Sequence, residues 1–251
     1  MCADLNDLVE GFRDPVRYER GRTAYPAAVV DLVTTALALP AGAPILDVGA
    51  GTGMLSAPFL TAGFDVVAVE PLPELRQALA DAVGPGRVLA GTAEALPLAD
   101  AAVAAAVCGD AFHWFDRERA PAELHRVIAP GGGMAVVWRV PTPGAGTPWL
   151  GEVARLMEEV RPPHVGFDEH NRGIAAFTEH GGFTDPERHE LPFERVTDAE
   201  GVVAYVASAS FVALLDDDRR ARLLGDVRAL LPHGELRVSH VAEVWITRRR
   251  G

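Results

Sequence analysis

Chemistry in this chain concentrates first where an aspartate stands two residues before three closely spaced glycines. The stretch Ile45-Leu46-Asp47-Val48-Gly49-Ala50-Gly51-Thr52-Gly53 reads as a buried strand running into a glycine turn and then a helix. Glycines are needed there because a side chain would block close approach of the backbone to a ligand, or would strain the turn. Ligands of open α/β sheets collect at the carboxyl ends of strands, where the strand order reverses. A dinucleotide fingerprint would place its third glycine at position 54, which is Met54; Gly53 arrives one residue early. Asp47 would also set a negative charge beside a pyrophosphate. The pattern suits a ligand with no phosphate and a positively charged amino-acid portion, and S-adenosylmethionine, with its sulfonium and ammonium, is such a ligand. Glu70 ends the next apolar run and is followed by Pro71. Its carboxylate therefore stays at the strand tip, where Rossmann-like sheets use an acid to accept from both ribose hydroxyls.

The elements that must position these groups follow from periodicity. Apolar runs at Ile45–Val48, Val66–Glu70, Arg87–Ala90, Val103–Cys108 and Met134–Val140 read as strands. Helical patterns at Met54–Ala62, Leu72–Val83 and Glu118–Ile128 alternate with them, which implies a parallel sheet covered on both faces. After Val140 a Pro- and Gly-rich linker leads to amphipathic helices near Trp149–Arg161 and Ile174–His180. A strand near Arg188–Arg195, helices near Asp198–Ala207 and Asp217–Leu231, and a last strand Ser239–Thr247 complete the reading. The expected organisation is an N-terminal helical lid (1–39), a cofactor-binding Rossmann-like core (40–140), an inserted helical cap (141–187) and the C-terminal part of the core sheet (188–251).

Composition narrows the partners. With 251 residues the chain suffices for one α/β domain with an inserted cap. A net charge of -12 would repel a phosphate backbone, so nucleic acid is not expected as substrate. Every basic residue is Arg, so an anion would be met by a planar, always-charged fork. Cys2 and Cys108 form neither a disulfide framework nor a metal site, and no apolar run approaches the roughly 20 residues that span a bilayer. A cytoplasmic protein without metal or membrane partner is the expectation.

Several ordered motifs carry a resemblance: Arg22…Tyr25-Pro26, Ile45–Gly53, Glu70-Pro71, Gly91-Thr92-Ala93-Glu94-Ala95-Leu96-Pro97, Ala111-Phe112-His113-Trp114-Phe115-Asp116 and Arg126-Val127-Ile128-Ala129-Pro130-Gly131-Gly132. Over about residues 15–140 the chain resembles the class I S-adenosylmethionine-dependent methyltransferases, in particular the small-molecule group that includes trans-aconitate methyltransferase-like proteins. The resemblance implies an α/β, Rossmann-like methyltransferase fold, with a mostly parallel seven-stranded sheet, one antiparallel strand near the C-terminus, helices on both faces and a small helical cap. It implies that Asp47, Gly49, Ala50 and Gly51 line the methionine portion of S-adenosyl-L-methionine, that Glu70 binds the ribose, and that Thr92, Ala93 and Glu94 border the adenine with Pro71 or Leu72 on its face. Many relatives carry Asp where this chain has Thr92, and begin the fourth strand with Asp where this chain has Ala104. Tyr18 and Arg22 resemble lid residues that reach the cofactor's carboxylate, a pairing suited to an arginine fork.

Cys108, Gly109, Asp110 and Ala111 follow the fourth strand, at the mouth where the transferable methyl should lie. Methyl transfer asks mainly for alignment and a dry cavity, and a base is needed only if the acceptor must lose a proton. His113 is the candidate base and Asp110 a second candidate catalytic residue. The substrate expected is a small organic molecule reacting through O, N or C. If it is a carboxylate it attacks already ionised, and Arg139 or Arg172 could steer it. A cofactor-binding protein turned to cyclisation or regulation is an alternative. A nicotinamide-dependent oxidoreductase is a weaker one, disfavoured by glycine spacing and Asp47.

Overall fold

Strand β1 (Pro44–Val48) lies at the centre because its sequence leaves almost nothing to face water: Ile45, Leu46, Asp47 and Val48 are all fully buried. Strands apolar on both faces belong in parallel sheets with both sides covered. β1 pairs in parallel with β2 (Asp65–Val69) on one side and β4 (Val103–Gly109) on the other. Parallel pairing continues outward to β3 (Val88–Leu89) and β5 (Ile128–Pro141). With β6 (Glu187–Thr197) and β7 (Leu236–Arg248) the sheet has seven strands in the order β3-β2-β1-β4-β5-β7-β6. The order reverses at β1 and β4, so the glycine turn leaves the sheet at its switch point. β7 is antiparallel to both neighbours. Against β5, Thr142 N–H donates to the Ser239 carbonyl and Arg249 N–H to the Gly132 carbonyl, so numbering falls along one strand as it rises along the other. Against β6, the Thr184 amide donates to the Arg248 carbonyl and Arg237 pairs with Glu194. This is the mostly parallel, Rossmann-like methyltransferase sheet expected from the sequence.

The computed structural model describes residues 19–22, 24–144, 147–161 and 168–251, which form two compact units. The larger joins Ala24–Val140 to Phe167–Leu191 and Val241–Gly251. Its helices are α1 (Ala27–Ala36), α2 (Ser56–Thr61), α3 (Pro73–Val83), α4 (Arg119–Val127) and α6 (Asp168–His180). In α3, Pro73 occupies the first turn, where its missing N–H costs nothing, and Leu75, Leu79 and Val83 recur every four residues as the buried stripe. α2 starts two residues later than periodicity predicted, because the chain remains in a turn through Leu55.

β5 starts six residues earlier than predicted. Proline and glycine at 130–133 have the composition of a helix stop, yet the stretch is part of the strand: Val103 faces Ile128 and Ala105 faces Gly133, so the extra residues are absorbed as an irregularity. Glycine makes this possible, since a Cβ on Gly132 would stand 2.1 Å from the Ala104 carbonyl and one on Gly133 2.3 Å from that of Thr247.

The smaller unit comprises Met1–Thr23, so far as described, with Pro141–Gly166 and Pro192–His240. It holds α5 (Pro148–Val160), α7 (Ala199–Ala207), α8 (Ser210–Ala213) and α9 (Asp217–Leu230). Asp198 caps α7 by accepting from Gly201 N–H, and Asp216 caps α9 by accepting from Arg219 N–H. The apolar face of α5 is spent inside this unit: Trp149, Leu150 and Val153 join Val203, Val206, Leu224 and Val227 in one core. The segment 141–187 is thus shared, its first helix in the smaller unit and its second in the larger. Among the described residues, no helix is long and apolar enough to cross a membrane, and no group of three or more His, Cys, Asp or Glu is placed to hold a metal ion.

Gly53, with φ +88°, packs its α-carbon against α3, where a Cβ would meet Leu79, Ala82 and Val83 at 3.0–3.3 Å. Gly63, at φ +87°, has open space around it. Both Gly→Ala variants should lose about 1 kcal/mol from left-handed backbone strain. Gly53→Ala should lose roughly 1–2 kcal/mol more from overpacking. Denaturant melts of the two variants check this, and equal losses would show that α3 yields to the added methyl.

Candidate functional site

At the carboxyl end of β1 the chain passes through three left-handed glycines, Gly49, Gly51 and Gly53, with φ of +66°, +59° and +88°. This turn is fastened to β2 through backbone: Gly49 N–H and Ala50 N–H both donate to the Val69 carbonyl. Glu70 completes the fastening. One of its oxygens accepts from Gly51 N–H and the other from Leu72 N–H, each at 2.9 Å. The carboxylate predicted to meet a ribose is therefore also the brace between the glycine turn and the start of α3. Each oxygen keeps a second lone pair, so it can accept from a ligand without giving up the brace. Burial pushes the Glu70 carboxyl above its ordinary range, and its two backbone donors and Arg76 pull the other way. Arg76 itself donates to the carbonyls of Glu70 and Pro71.

Asp47 is fully buried within β1. Its Oδ2 accepts from the Ser56 hydroxyl at 2.6 Å, while its Oδ1 has no hydrogen-bond partner. Burial raises its pKa to about 7, with the Glu70 carboxylate adding to the rise and Ser56 opposing it. Thr52, also buried, has an Oγ1 without a partner. Orphaned buried acceptors are costly and rare in a folded protein. Two of them at one glycine turn, beside two acids whose charge is poorly compensated, fit a ligand that brings hydrogen-bond donors and positive charge.

The rest of the expected cofactor wall lies in the same unit. Thr92 and Ala95 form an isolated antiparallel bridge, Ala93 is buried between them, and Glu94 accepts from Asp116 N–H at 2.8 Å. Pro71 and Leu72 are half-buried where α3 begins. Cys108 is buried at the end of β4; burial drives its thiol well up, helped by Asp47 and Asp110. Gly109 follows, and its lack of a Cβ is required, because one would stand 2.4 Å from Oη of Tyr25.

Past Gly109 the chain turns sharply. Asp110 adopts a left-handed φ of +53° and ion-pairs with Arg139 at 2.6 Å, both side chains almost fully buried. Ala111 packs within 3.0 Å of where a Gly49 Cβ would be. The turn Phe112–Trp114 then carries His113, half-buried with its ring 4.6 Å from that of Trp114. Trp114 is exposed, while Phe112 is buried against Phe177.

The two lid candidates stand differently. Tyr18 falls outside the described residues. Arg22 belongs to the smaller unit, where its Nε donates to the Ser208 hydroxyl at 3.0 Å and its guanidinium lies 5.4 Å from the Tyr205 ring centre. Neighbouring backbone is held as firmly: buried Arg195 donates to the carbonyls of Arg20 and Gly21. The Arg172 side chain is likewise outside the described residues. Sequence reading gave no role to Ser56, Thr52 or Arg76, whose parts depend on contacts that no spacing rule supplies. Tyr25 was visible as part of a motif, but its partners were not.

A family model described as a methyltransferase domain matches residues 46–136, from β1 into β5. An uncharacterized methyltransferase of Mycobacterium tuberculosis is 35% identical over 233 residues, covering 92% of this chain and 89% of that protein. A malonyl-[acyl-carrier protein] O-methyltransferase of Pseudescherichia vulneris is 40% identical over 107 residues, 42% of each chain. A solved structure described as a type II methyltransferase from Anaeromyxobacter dehalogenans superposes with a TM-score of 0.66 at 26% identity, covering 90% of this chain and 97% of that one. Sharing a third of its residues with such a relative over almost its whole length, on a sheet of this order, the chain belongs to the class I S-adenosylmethionine-dependent methyltransferases.

Proposed function

We propose that this enzyme binds S-adenosylmethionine against Asp47–Gly51, Glu70–Leu72, Thr92–Glu94 and Cys108–Gly109, and transfers its methyl group to a small-molecule acceptor, best a carboxylate. The observation that carries the cofactor reading is the Asp47–Thr52–Glu70 group: buried acids with spare acceptor sites around a left-handed glycine turn. When bound, the cofactor supplies a methyl activated by its sulfonium. The chain's own work is to hold and dry. Glu70 accepts from the ribose hydroxyls, Asp47 and the turn face the ammonium-bearing portion, and Cys108 and Gly109 bound the mouth.

A carboxylate acceptor is favoured by the malonyl carrier-protein O-methyltransferase relative and by the resemblance to trans-aconitate methyltransferase-like proteins. Such an acceptor reacts already ionised and needs no base. Asp110 is engaged by Arg139, so it is not assigned the role of base. His113 is assigned that role only for an acceptor that must lose a proton. Neither a nicotinamide-dependent activity nor a non-methylating role is favoured, because the relatives matched across most of the chain are methyltransferases.

Three measurements test this reading. Glu70→Gln leaves one hydrogen-bond acceptor where two are used, so S-adenosylhomocysteine affinity by calorimetry should fall by about 1–3 kcal/mol. An unchanged affinity would remove Glu70 from the ribose. Asp47 gives a pH signature. Its folded pKa of about 7 lies above the ordinary aspartate value of 3.8, so the unliganded fold holds a proton that the unfolded chain has released. Its contribution to stability is fully present below about pH 4 and is lost as pH rises through about 7. A cationic ligand favours the ionised form, so cofactor affinity should rise from pH 5.5 towards about 8 with proton release on binding. Asp47→Asn should flatten both slopes, and a binding curve independent of pH would sink the ammonium assignment. Finally, a screen of small carboxylic acids and phenols with methyl-labelled cofactor should give methyl ester. Labelling of nucleic acid or protein alone would overturn the small-molecule reading.

A further inference from the structure

Resting on the reading that methyl transfer occurs at the mouth of β4, we infer that Arg139 and Asp110 are positioning residues: their buried pair fixes the turn that carries His113 and shapes the acceptor side of the site. Asp110 is the residue at which the chain leaves β4. Its amide donates to the Val137 carbonyl, and its carboxylate gathers three donors from Arg139: the backbone N–H at 3.1 Å, Nε at 2.8 Å and Nη2 at 2.6 Å. One arginine therefore binds the tip of β4 to β5 both by its guanidinium fork and by its backbone N–H.

That guanidinium also serves two other segments. Its Nη1 lies 3.7 Å from the sulfur of Met54, just after the glycine turn, and its Cζ sits 4.1 Å from the centre of the Tyr25 ring. Tyr25 in turn presses its hydroxyl on Gly109, the residue before Asp110. Four pieces of chain thus meet on Arg139: the segment before α1, the exit of the glycine turn, and the carboxyl ends of β4 and β5.

Stability alone is a poor account of this arrangement. A buried ion pair costs desolvation that its attraction barely offsets, and apolar side chains of the same volume often hold a fold as well. What the pair supplies that apolar packing would not is direction. A non-glycine residue at φ +53° is held against strain. The residues immediately beyond it pack on the glycine turn, Ala111 and Phe115 both lying against Gly49. His113 and Trp114 stand between those two contacts in sequence. Releasing Asp110 from Arg139 would let the chain relax its left-handed bend and turn 111–115 shift as a piece.

Hydrogen–deuterium exchange of the full chain, read with S-adenosylhomocysteine calorimetry, tests this. In Arg139→Met and in Asp110→Asn, which keeps the shape and tolerates the left-handed backbone, exchange in 109–116 should rise roughly tenfold while α3 keeps its protection. Arg139→Lys, retaining charge without the fork, should recover part of the protection. S-adenosylhomocysteine affinity should stay within about threefold, and with an acceptor from the screen kcat should fall while KM for the cofactor holds. Unchanged protection at 109–116, or a loss spread evenly over the sheet, would overturn the proposal. Wild-type protein that binds no S-adenosylhomocysteine would defeat the cofactor reading separately, and the exchange pattern would still decide whether the pair holds the turn.

Discussion

A carboxylate buried at the tip of β2 governs the geometry of this site. Glu70 is held by Gly51 N–H and Leu72 N–H, so it joins the turn after β1 to the start of α3. Backbone donors aimed at a buried anion are among the stronger neutral-to-charged hydrogen bonds, and both are local to the residues a cofactor would touch. The turn cannot take another shape without leaving that anion unsatisfied. Its left-handed glycines, the packing of Gly53 on α3 and the position of Asp47 all follow from this one constraint.

Negative charge accumulates around that brace, with Arg76 as the cation that opposes it at Glu70. The Glu70 carboxylate adds to the rise in the proton affinity of buried Asp47, and Arg76 spends hydrogen bonds on carbonyls of the β2 tip. Such a region is poorly suited to phosphate and well suited to a cation. The opposite arrangement holds one strand further along, where Asp110 and Arg139 neutralise each other in a buried pair. On the proposed reading binding and positioning are separated: acids with spare acceptor sites would face the cofactor, and a satisfied ion pair would frame the turn beyond it.

The smaller unit shows how apolar surface can mislead. The α5 face of Leu150, Val153, Leu156, Met157 and Val160 has the look of a substrate wall, yet it packs within a core built from α7 and α9. An amphipathic stripe records only that something apolar lies opposite. In this case it is the unit's own helices.

From sequence, the central strands, the glycine turn and the acid after β2 were legible, because each rests on local rules: apolar runs of strand length, glycine at left-handed positions and an acid at a strand tip. The parallel sheet followed from the alternation of apolar runs and helical patterns, and the late antiparallel strand from the resemblance to a family. Tertiary structure alone decided what each side chain spends itself on. That Glu70 is a brace as well as an acceptor, that Asp110 belongs to Arg139, that Gly109 is small because of Tyr25 and that Arg22 rests on Ser208 depend on residues 19 to 186 positions apart. The early start of β5 was hidden for the same reason. Its glycine run satisfies both a helix stop and a close approach of strands, and only the carbonyls of Ala104 and Thr247, brought alongside by the sheet, select the second.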